Sequence, residues 1–510
     1  MEILKTSSIR KLDQQAIQTY HIASHELMEH AARALCEYMI EHVNRKTHVC
    51  ILCGPGNNGG DGFALAYLMI RERYEHVIVY CCEPLEFMSE DEKIFAHLCV
   101  EQKVPILTTT NMDELKKVFQ LQDVFVDGLF GTGLSRNIEG FYDGLITYVN
   151  SLHKKVISID IASGIHSDSG KVMNCALKAT TTITFECMKY GQVFYPGSAY
   201  CGEIVVKPIG LENLLARCLD EKTNIIDDAL CAHFLPKRDA HGNKGSFGKV
   251  LMIGGSYAMP GAISLAAKSA LRSGLGTLTL CVPDVIHDLL AMQIQECMFL
   301  SAKSSEGYYD EHIINLTKAQ LASFEVVSIG NGLGRNNINE ALVEMVLESE
   351  CDCIVDGDAL YELGKNIDLC KRHATTILTP HPKEMSYLCG KSVQEITADP
   401  VSIALEFCQT YPSVVLVLKD QHTTICYRDT CYMNIIGNDA LAKGGSGDVL
   451  CGILTGLFAQ GKNALRAACA SVYVHALAAD QLCSEQDTYS ILPSDIIDKL
   501  SDVYKYIKSK

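Results

Sequence analysis

This 510-residue chain is short of positive charge, with 44 Lys and Arg against 61 Asp and Glu and a formal charge of -17. Such a balance repels a phosphate backbone at long range, which argues against nonspecific nucleic-acid or anionic-membrane binding; any anionic ligand must be captured locally. Long apolar runs are also missing. No uncharged apolar stretch approaches the roughly 18 residues of a membrane span, and Met1 to Tyr20 carries Glu2 and Asp13 where an export signal needs an unbroken apolar core. A soluble, non-exported protein is expected. Short repeats and low-complexity tracts are absent as well. Cysteine is the opposite case: there are 23, an odd number, scattered through apolar segments without the spacing of a disulfide scaffold, and they read as reduced thiols in a cytoplasm. The Cys-x-x-Cys at Cys50 to Cys53 lies in an apolar strand pattern that points its two side chains to opposite faces, which argues against metal or redox chemistry.

What is present fits ordinary globular domains, with 48% hydrophobic and 21% charged residues. At roughly 100–200 residues per domain the length points to two or three of them. From Thr6 to His42 the apolar residues recur at helical steps. Short apolar runs then alternate with helical stretches, at 47–53, 76–81, 123–127 and 155–160. Runs that are apolar on both faces and separated by helices indicate buried parallel strands in an open sheet covered on both sides. Between about Leu211 and Ala240 the rhythm fades into a polar passage, and a second series follows at 249–254, 277–282, 325–330, 353–356, 375–379 and 414–419. The expectation is two unlike α/β domains, 1–225 and 226–510. Ligands on such sheets sit at the C-terminal ends of the strands.

Three of those strand ends in the first series carry polar or glycine-rich loops. The first runs into Gly54-Pro-Gly-Asn-Asn-Gly-Gly-Asp-Gly62 and the helical run FALAYLMI, a turn whose amides and helix N-terminus suit a phosphate-bearing ligand. It matches neither the dinucleotide fingerprint nor the Walker loop. DVFVDGLFGTGLSRN brings Asp127 and a second glycine loop beside it, and VISIDIASGIHSDSG brings Asp160 and Ser163. Together these segments resemble the N-terminal domain of the NAD(P)H-hydrate epimerase family over about 200 residues. The resemblance implies a Rossmann-like domain that interconverts the R and S epimers of hydrated NADH or NADPH. By matching position, Asn57, Asn58, Gly59, Gly60, Asp61, Gly131, Thr132, Gly133, Leu134, Ser135, Arg136, Asn137, Tyr142 and Asp160 would contact the hydrate. Asn58, Asp127 and Ser163 would bind a potassium ion, for which amide, carboxylate and hydroxyl oxygens are compatible hard ligands. Epimerisation must open and reclose a C–O or C–N bond, which calls for a proton donor and acceptor; Asp160 is the candidate.

The second series ends in Asn438-Asp-Ala-Leu-Ala-Lys-Gly-Gly-Ser-Gly-Asp-Val-Leu450, which enters the apolar helix CGILTGLFA. Gly444, Gly445, Ser446 and Gly447 can form an anion hole at the helix N-terminus, with Asp448 in the first turn to accept a hydroxyl proton. This run resembles the closing motif of ribokinase-like kinases. More closely, 241–510 resembles the ADP-dependent NAD(P)H-hydrate dehydratase domain of bifunctional repair enzymes, through HGNKGSFGKVLMIGGS, PGAISLAAKSALRSGLGTLTLCV, IGNGLGR, IVDGDAL and LTPHPKEM. The resemblance implies that Ala262, Gly332, Gly334, His381 and Asp448 contact the hydrate, and that Lys419, Asp420, Gln421, His422, Thr423 and the 444–447 glycine run hold the nucleotide. Three positions depart from the family pattern: Asp420 replaces a glycine after Lys419, Gly357 replaces alanine between Asp356 and Asp358, and Asn331 replaces proline in Gly330-Asn-Gly-Leu-Gly334. Asp420 puts a charge where nucleotide passes. Lys383, Lys419 and Lys443 are candidates for neutralising phosphates.

The implied whole is a bifunctional cofactor-repair enzyme. It epimerises the hydrate, then uses ADP with Mg2+ to dehydrate the S epimer, releasing NAD(P)H, AMP and phosphate. Its partners would be NADHX, NADPHX and ADP, with no nucleic acid and no membrane, in a cytoplasmic homo-oligomer. The competing reading is a ribokinase-like small-molecule kinase whose Rossmann-like domain only binds a ligand.

Overall fold

The computed structural model describes residues 2–81, 88–218 and 223–510. Two units separate by their internal packing, Met1–Lys222 and Thr223–Lys510. In the first, seven strands form one sheet: β1 (His48–Cys53), β2 (His76–Cys81), β3 (Ile106–Leu107), β4 (Val124–Gly128), β5 (Lys155–Ile159), β6 (Thr181–Phe185) and β7 (Glu203–Lys207). Their order is β3-β2-β1-β4-β5-β6-β7, and every pairing is parallel. Helices cover both faces, so the strands are apolar throughout. The β1 cysteines show this directly: Cys50 packs with Phe119, Phe125 and Leu145, whereas Cys53 packs on the other side with Met28, Phe63 and Val79. A shared metal or disulfide is thereby excluded for that pair.

After β1 the chain moves to β2, and it later returns to the other side of β1 as β4. The loops leaving β1 and β4 therefore diverge and open a crevice at the strand C-termini. The helix after β1 is Asn57–Arg71, so it starts six residues earlier than the apolar run FALAYLMI indicates. Close packing explains the glycines it contains, since a Cβ on Gly60 would lie 2.5 Å from Met28 Cε. The helical span Thr6 to His42 is two helices, Thr6–Tyr20 and Ser24–His42. His21 ends the first with a left-handed φ of 56°. The two helices serve different cores: Leu12 and Ala16 pack on Leu211 and Leu214, whereas Met28, Leu35 and Met39 pack on the sheet.

The second unit contains β8 (Thr223–Ile225), β9 (Lys249–Ile253), β10 (Thr277–Pro283), β11 (Met298–Ala302), β12 (Val326–Ile329), β13 (Asp352–Val355), β14 (Thr376–Leu378), β15 (Val414–Leu418), β16 (Thr423–Tyr427) and β17 (Thr430–Asn434). The order is β11-β10-β9-β12-β13-β14-β15-β16-β17-β8. Pairing is parallel from β11 to β15 and antiparallel for β15–β16 and β16–β17. The β16–β17 hairpin escapes a pattern search because β16 is buried on both faces and shows no alternation. The polar passage at 211–240 also carries structure, β8 and the helix Asp228–Phe234, which Asp227 caps by accepting from the Leu230 amide at 2.9 Å. Here too the chain leaves β9 in one direction and resumes beside it at β12, opening a second crevice. Helices Pro260–Arg272 and Ser446–Gly461 line it and touch closely at Gly452, where a Cβ would stand 1.9 Å from Ser269 Oγ.

Both units are thus three-layer α/β structures with largely parallel sheets, the fold class expected from the strand–helix alternation. Among the described residues no helix is long and apolar enough to cross a membrane.

Candidate active sites

The first crevice holds a cavity of about 600 Å³. Register puts Asp127 between Leu52 of β1 and Ser158 of β5. Its carboxylate is fully buried and accepts from Ser158 Oγ (2.8 Å), Ser163 N (2.9 Å), Ser163 Oγ (2.5 Å) and Leu129 N (3.3 Å). All four donors are neutral. Burial pushes the Asp127 pKa up despite them. Asn58 lies alongside, with its side chain against the Gly131 backbone and its Nδ2 buried without a hydrogen-bond partner.

Asp160 follows β5 in a left-handed conformation (φ 62°), uncommon for a residue with a side chain. Its place is fixed from several sides. Thr184 Oγ1 donates to its carboxylate at 3.2 Å, Gln192 Nε2 donates to its carbonyl at 2.6 Å, and Lys189 Nζ forms an ion pair with Oδ1. Lys189 is 1% exposed and also donates to Thr184 Oγ1 at 2.7 Å. It sits on the short strand Met188–Lys189, which pairs in parallel with Glu2–Leu4. Asp13 and Asp61 line the same cavity. Burial, then the neighbouring Asp160, pushes Asp13 up to about 6 and Asp61 well above the usual carboxylate range. The cavity therefore holds an ion-paired carboxylate, Asp160, beside an acid kept protonated, Asp61, so a proton acceptor and a donor share one space.

Of the residues matched to the hydrate, Asn57, Asn58, Asp61, Gly131, Thr132, Gly133, Leu134, Ser135, Arg136 and Asp160 line this cavity. Gly59, Gly60, Asn137 and Tyr142 do not. Gly59 and Gly60 are buried in helix packing, and Tyr142 stands behind the lining residue Phe130, ring against ring at 5.0 Å. Lys189 and Asp13 were not singled out by motif. The signal available for Lys189 is a lysine in the largely apolar run CMKYGQVF, 187–194.

In the second crevice, Asn331, Asp356, Thr379 and Lys419 stand just past the ends of β12, β13, β14 and β15. Asp356 accepts from Asn331 Nδ2 (3.0 Å), Thr379 Oγ1 (2.6 Å) and Lys419 Nζ (3.0 Å). Asn331 Nδ2 also donates to Asp448 Oδ1 at 2.8 Å. Burial, then the Asp356 charge, pushes Asp448 up to about 6, with Asn331 and Lys419 opposing. Lys419 keeps its charge, because Asp356 and Glu384 outweigh the burial that opposes it.

Gly445, left-handed at φ 99°, caps the helix Ser446–Gly461. The Ser446 amide is tied to Lys443 O (3.2 Å) and the Val449 amide to Gly445 O (3.1 Å). The Gly447 and Asp448 amides between them are the first-turn donors left for an anion. Lys419 Nζ lies 3.5 Å from where a Gly447 Cβ would stand, so an ammonium faces those donors. Ser446 Oγ is 3.3 Å from Nε2 of the buried His475, whose pKa burial and Lys419 lower to about 4.

Ala262 and Gly332 pack directly together, with 2.9 Å between the Ala262 Cβ and a Cβ built on Gly332. The Gly334 amide donates to Asp358 Oδ2 at 2.8 Å. His381 caps the helix Pro382–Cys389 by accepting through Nδ1 from the Lys383 (3.1 Å) and Glu384 (3.3 Å) amides, which leaves Nε2 to carry the ring proton. Asp420 is exposed, and its carboxylate accepts from the Gln421 amide at 2.9 Å. Lys443 is tied to Thr488 O (3.2 Å), Tyr489 O (2.8 Å) and Ile491 O (2.5 Å), which makes it a loop anchor, and Lys383 lies over the Tyr387 ring at 5.2 Å. Of the three lysines considered for phosphate, Lys419 alone faces the free amides.

Family models match both units: NAD(P)H-hydrate dehydratase over residues 250–502 and the YjeF-related protein N-terminus over residues 24–191. The bifunctional NAD(P)H-hydrate repair enzyme Nnr of Moorella thermoacetica is 31% identical, across 100% of this chain and 98% of its own length. This chain belongs to the bifunctional NAD(P)H-hydrate repair enzyme family. The Nnr repair enzyme of Thermofilum pendens is 33% identical over 95% of this chain and 93% of that one. Among solved structures, the ADP/ATP-dependent NAD(P)H-hydrate dehydratase of Bacillus subtilis, co-crystallised with ATP/Mg2+, is 29% identical and covers 56% of this chain and 99% of its own, with a TM-score of 0.48. As a hydrate repair enzyme, the chain joins an epimerase to an ADP-dependent dehydratase.

Proposed function

We propose that the epimerase chemistry belongs to residues 1–225 and the dehydratase chemistry to residues 226–510, with Asp160 and Asp448 as the respective proton-transferring groups. The observation that carries the second assignment is the meeting of the Asp448 carboxylate, the free Gly447 and Asp448 amides and the Lys419 ammonium at one helix N-terminus.

Hydroxide is a poor leaving group. Asp448 takes the proton of the ring hydroxyl as that oxygen attacks the terminal phosphorus of ADP, and AMP departs. The amides and Lys419 receive the charge that builds on the transferred phosphate. The C–O bond then breaks to inorganic phosphate, a ring proton leaves, and the nicotinamide double bond returns. Mg2+ accompanies ADP as part of the co-substrate, and residues 419–423 with Gly444 to Gly447 contact the nucleotide. Ala262, Gly332, Gly334 and His381 contact the hydrate.

In the first cavity, Asp160 accepts and returns a proton at the hydroxyl-bearing carbon's substituents while Lys189 fixes its carboxylate. Asp61, held in its protonated form by burial and by the neighbouring Asp160, is the complementary donor. The loop 131–136 with Asn57, Asn58 and Asp61 surrounds the hydrate, while Gly59, Gly60, Asn137 and Tyr142 support those residues from behind. Potassium would be held by Asn58, Asp127 and Ser163, and the fit rests on Asp127 itself: a fully buried carboxylate with four neutral donors has no countercharge of its own. Bound there, the ion supplies positive charge beside the diphosphate. We place the enzyme in the cytoplasm, as a homo-oligomer acting on NADHX, NADPHX and ADP without nucleic-acid partners. Asp160→Asn assayed for epimer exchange, with hydrate binding in parallel, tests the first assignment; exchange at the wild-type rate would remove Asp160 from catalysis.

A further inference from the structure

Asn331 stands where the family pattern carries proline, yet every polar atom of its side chain is engaged at the second site. It is 2% exposed. One Nδ2 hydrogen reaches Asp448 Oδ1 at 2.8 Å and the other Asp356 Oδ2 at 3.0 Å. Oδ1 accepts from Cys451 Sγ at 3.3 Å, one helical turn beyond Asp448. This arrangement fixes the amide orientation, because the flipped amide would set its oxygen against two carboxylates and its NH2 against the thiol. The backbone is compatible with either residue type: the Asn331 carbonyl accepts from Gly255 N at 2.8 Å, while its own N–H donates to no backbone carbonyl among the described residues. Proline could fill the position, and what it could not supply is the amide.

We infer that Asn331 is a positioning residue of the dehydratase, holding the Asp448 carboxylate in place and in its ionised form while tying it to Asp356. The proposal rests on the reading of Asp448 as the base. A donor stabilises the charged form of a carboxylate, so losing it raises the pH at which the base becomes active. The charged groups around Asp448 are Asp356 and Asp358 after β13 and Lys419 after β15, and the Cys451 thiol on its own helix is kept neutral by burial and the neighbouring carboxylates. Glu384 and His475 face Lys419 in turn. Asp356 and Asp358 push Asp448 toward the neutral form, and Asn331 and Lys419 are the two groups that oppose them.

The experiment is the pH profile of kcat/KM for the hydrate, at saturating ADP, in the full-length protein and in Asn331→Ala, Asn331→Pro, Asn331→Asp and Asp448→Asn. In the alanine and proline variants the acidic limb should move up by about one unit, a hydrogen bond to a charged group being worth that much or more. Turnover at pH 6 then falls about fivefold, approaches a tenfold deficit at pH 5, and recovers toward wild type by pH 8.5. Asn331→Asp, of the same shape but without donors, should move the limb furthest. The inference is overturned if the three Asn331 variants, folded and binding ADP normally, keep the wild-type limb, or lose rate equally at every pH. The two readings separate on Asp448→Asn: near-normal turnover there would remove the base and the inference together, whereas a dead Asp448→Asn with unmoved Asn331 variants would remove the inference alone.

Discussion

The two sites solve one architectural problem with different wiring. Each lies where the chain reverses its direction of growth through a parallel sheet, and each combines an aspartate with a lysine, fully buried at the first site and partly exposed at the second. In the first, Lys189 pairs with Asp160 itself. In the second, Lys419 pairs with Asp356, and Asn331 stands between that pair and Asp448. The difference follows the chemistry: a proton that leaves and returns to the same ligand suits a carboxylate held firmly by its counter-ion, whereas phosphoryl transfer needs its cation on the phosphate and its base free to take a proton. The phosphate-side cation is therefore set beside the anion hole, one residue removed from the base.

The sharpest way to break this comparison is Asp448→Asn. It should lower ADP-dependent dehydration by about 10²–10⁴-fold, the usual share of a general base, and leave epimer exchange alone. Recovery of reduced-nicotinamide absorbance from a single epimer follows the first rate, and chromatographic separation of epimers follows the second. A parallel fall in exchange would mean that the sites are not independent.

Lys189→Met probes the direct pairing. Breaking a buried ion pair from one side costs about 3–5 kcal/mol, so thermal unfolding of the epimerase unit should come at a clearly lower temperature. Adding Asp160→Asn should restore most of that stability without restoring exchange. Should the single variant unfold like wild type, the pair contributes far less than its burial implies.

Proton traffic separates the sites next. Asp448 must be ionised to act, and its pKa is pushed up to about 6, so dehydration should fall about tenfold for each pH unit below that value. A limb near pH 4 would mean that burial and Asp356 do not govern it. Exchanging K+ for tetramethylammonium should slow epimer exchange and spare dehydration, measured on one preparation; equal rates in both salts would dismiss Asn58, Asp127 and Ser163 as ion ligands.

Much of both scaffolds was legible because parallel strands buried on both faces print unbroken apolar runs, as in β1 with Cys50 and Cys53 on opposite cores. Glycine-rich loops at those strand ends marked both crevices. What stayed hidden depended on distant partners. Lys189 is a lone lysine in a largely apolar run, and it becomes meaningful only when β6 and the Met188–Lys189 strand bring Thr184 and Asp160 to it. Asp13 joins the cavity from a helix that no motif connects to the sheet. The break at His21 has no glycine or proline to announce it, because the two helices part to reach different cores. The exchange of proline for Asn331 carries no pattern signal, because its meaning depends on the two carboxylates that the fold brings to its amide.

The account depends most on the Asp448 helix N-terminus. Its most direct test follows the terminal phosphate of ADP by phosphorus NMR while the full-length enzyme and Asp448→Asn act on the S hydrate. The expected result is one free phosphate and one AMP for each restored nicotinamide in the wild type, with all three lost together in the variant although ADP still binds. Phosphate released at the wild-type rate by Asp448→Asn, or retained on the product as a stable ester, would contradict it.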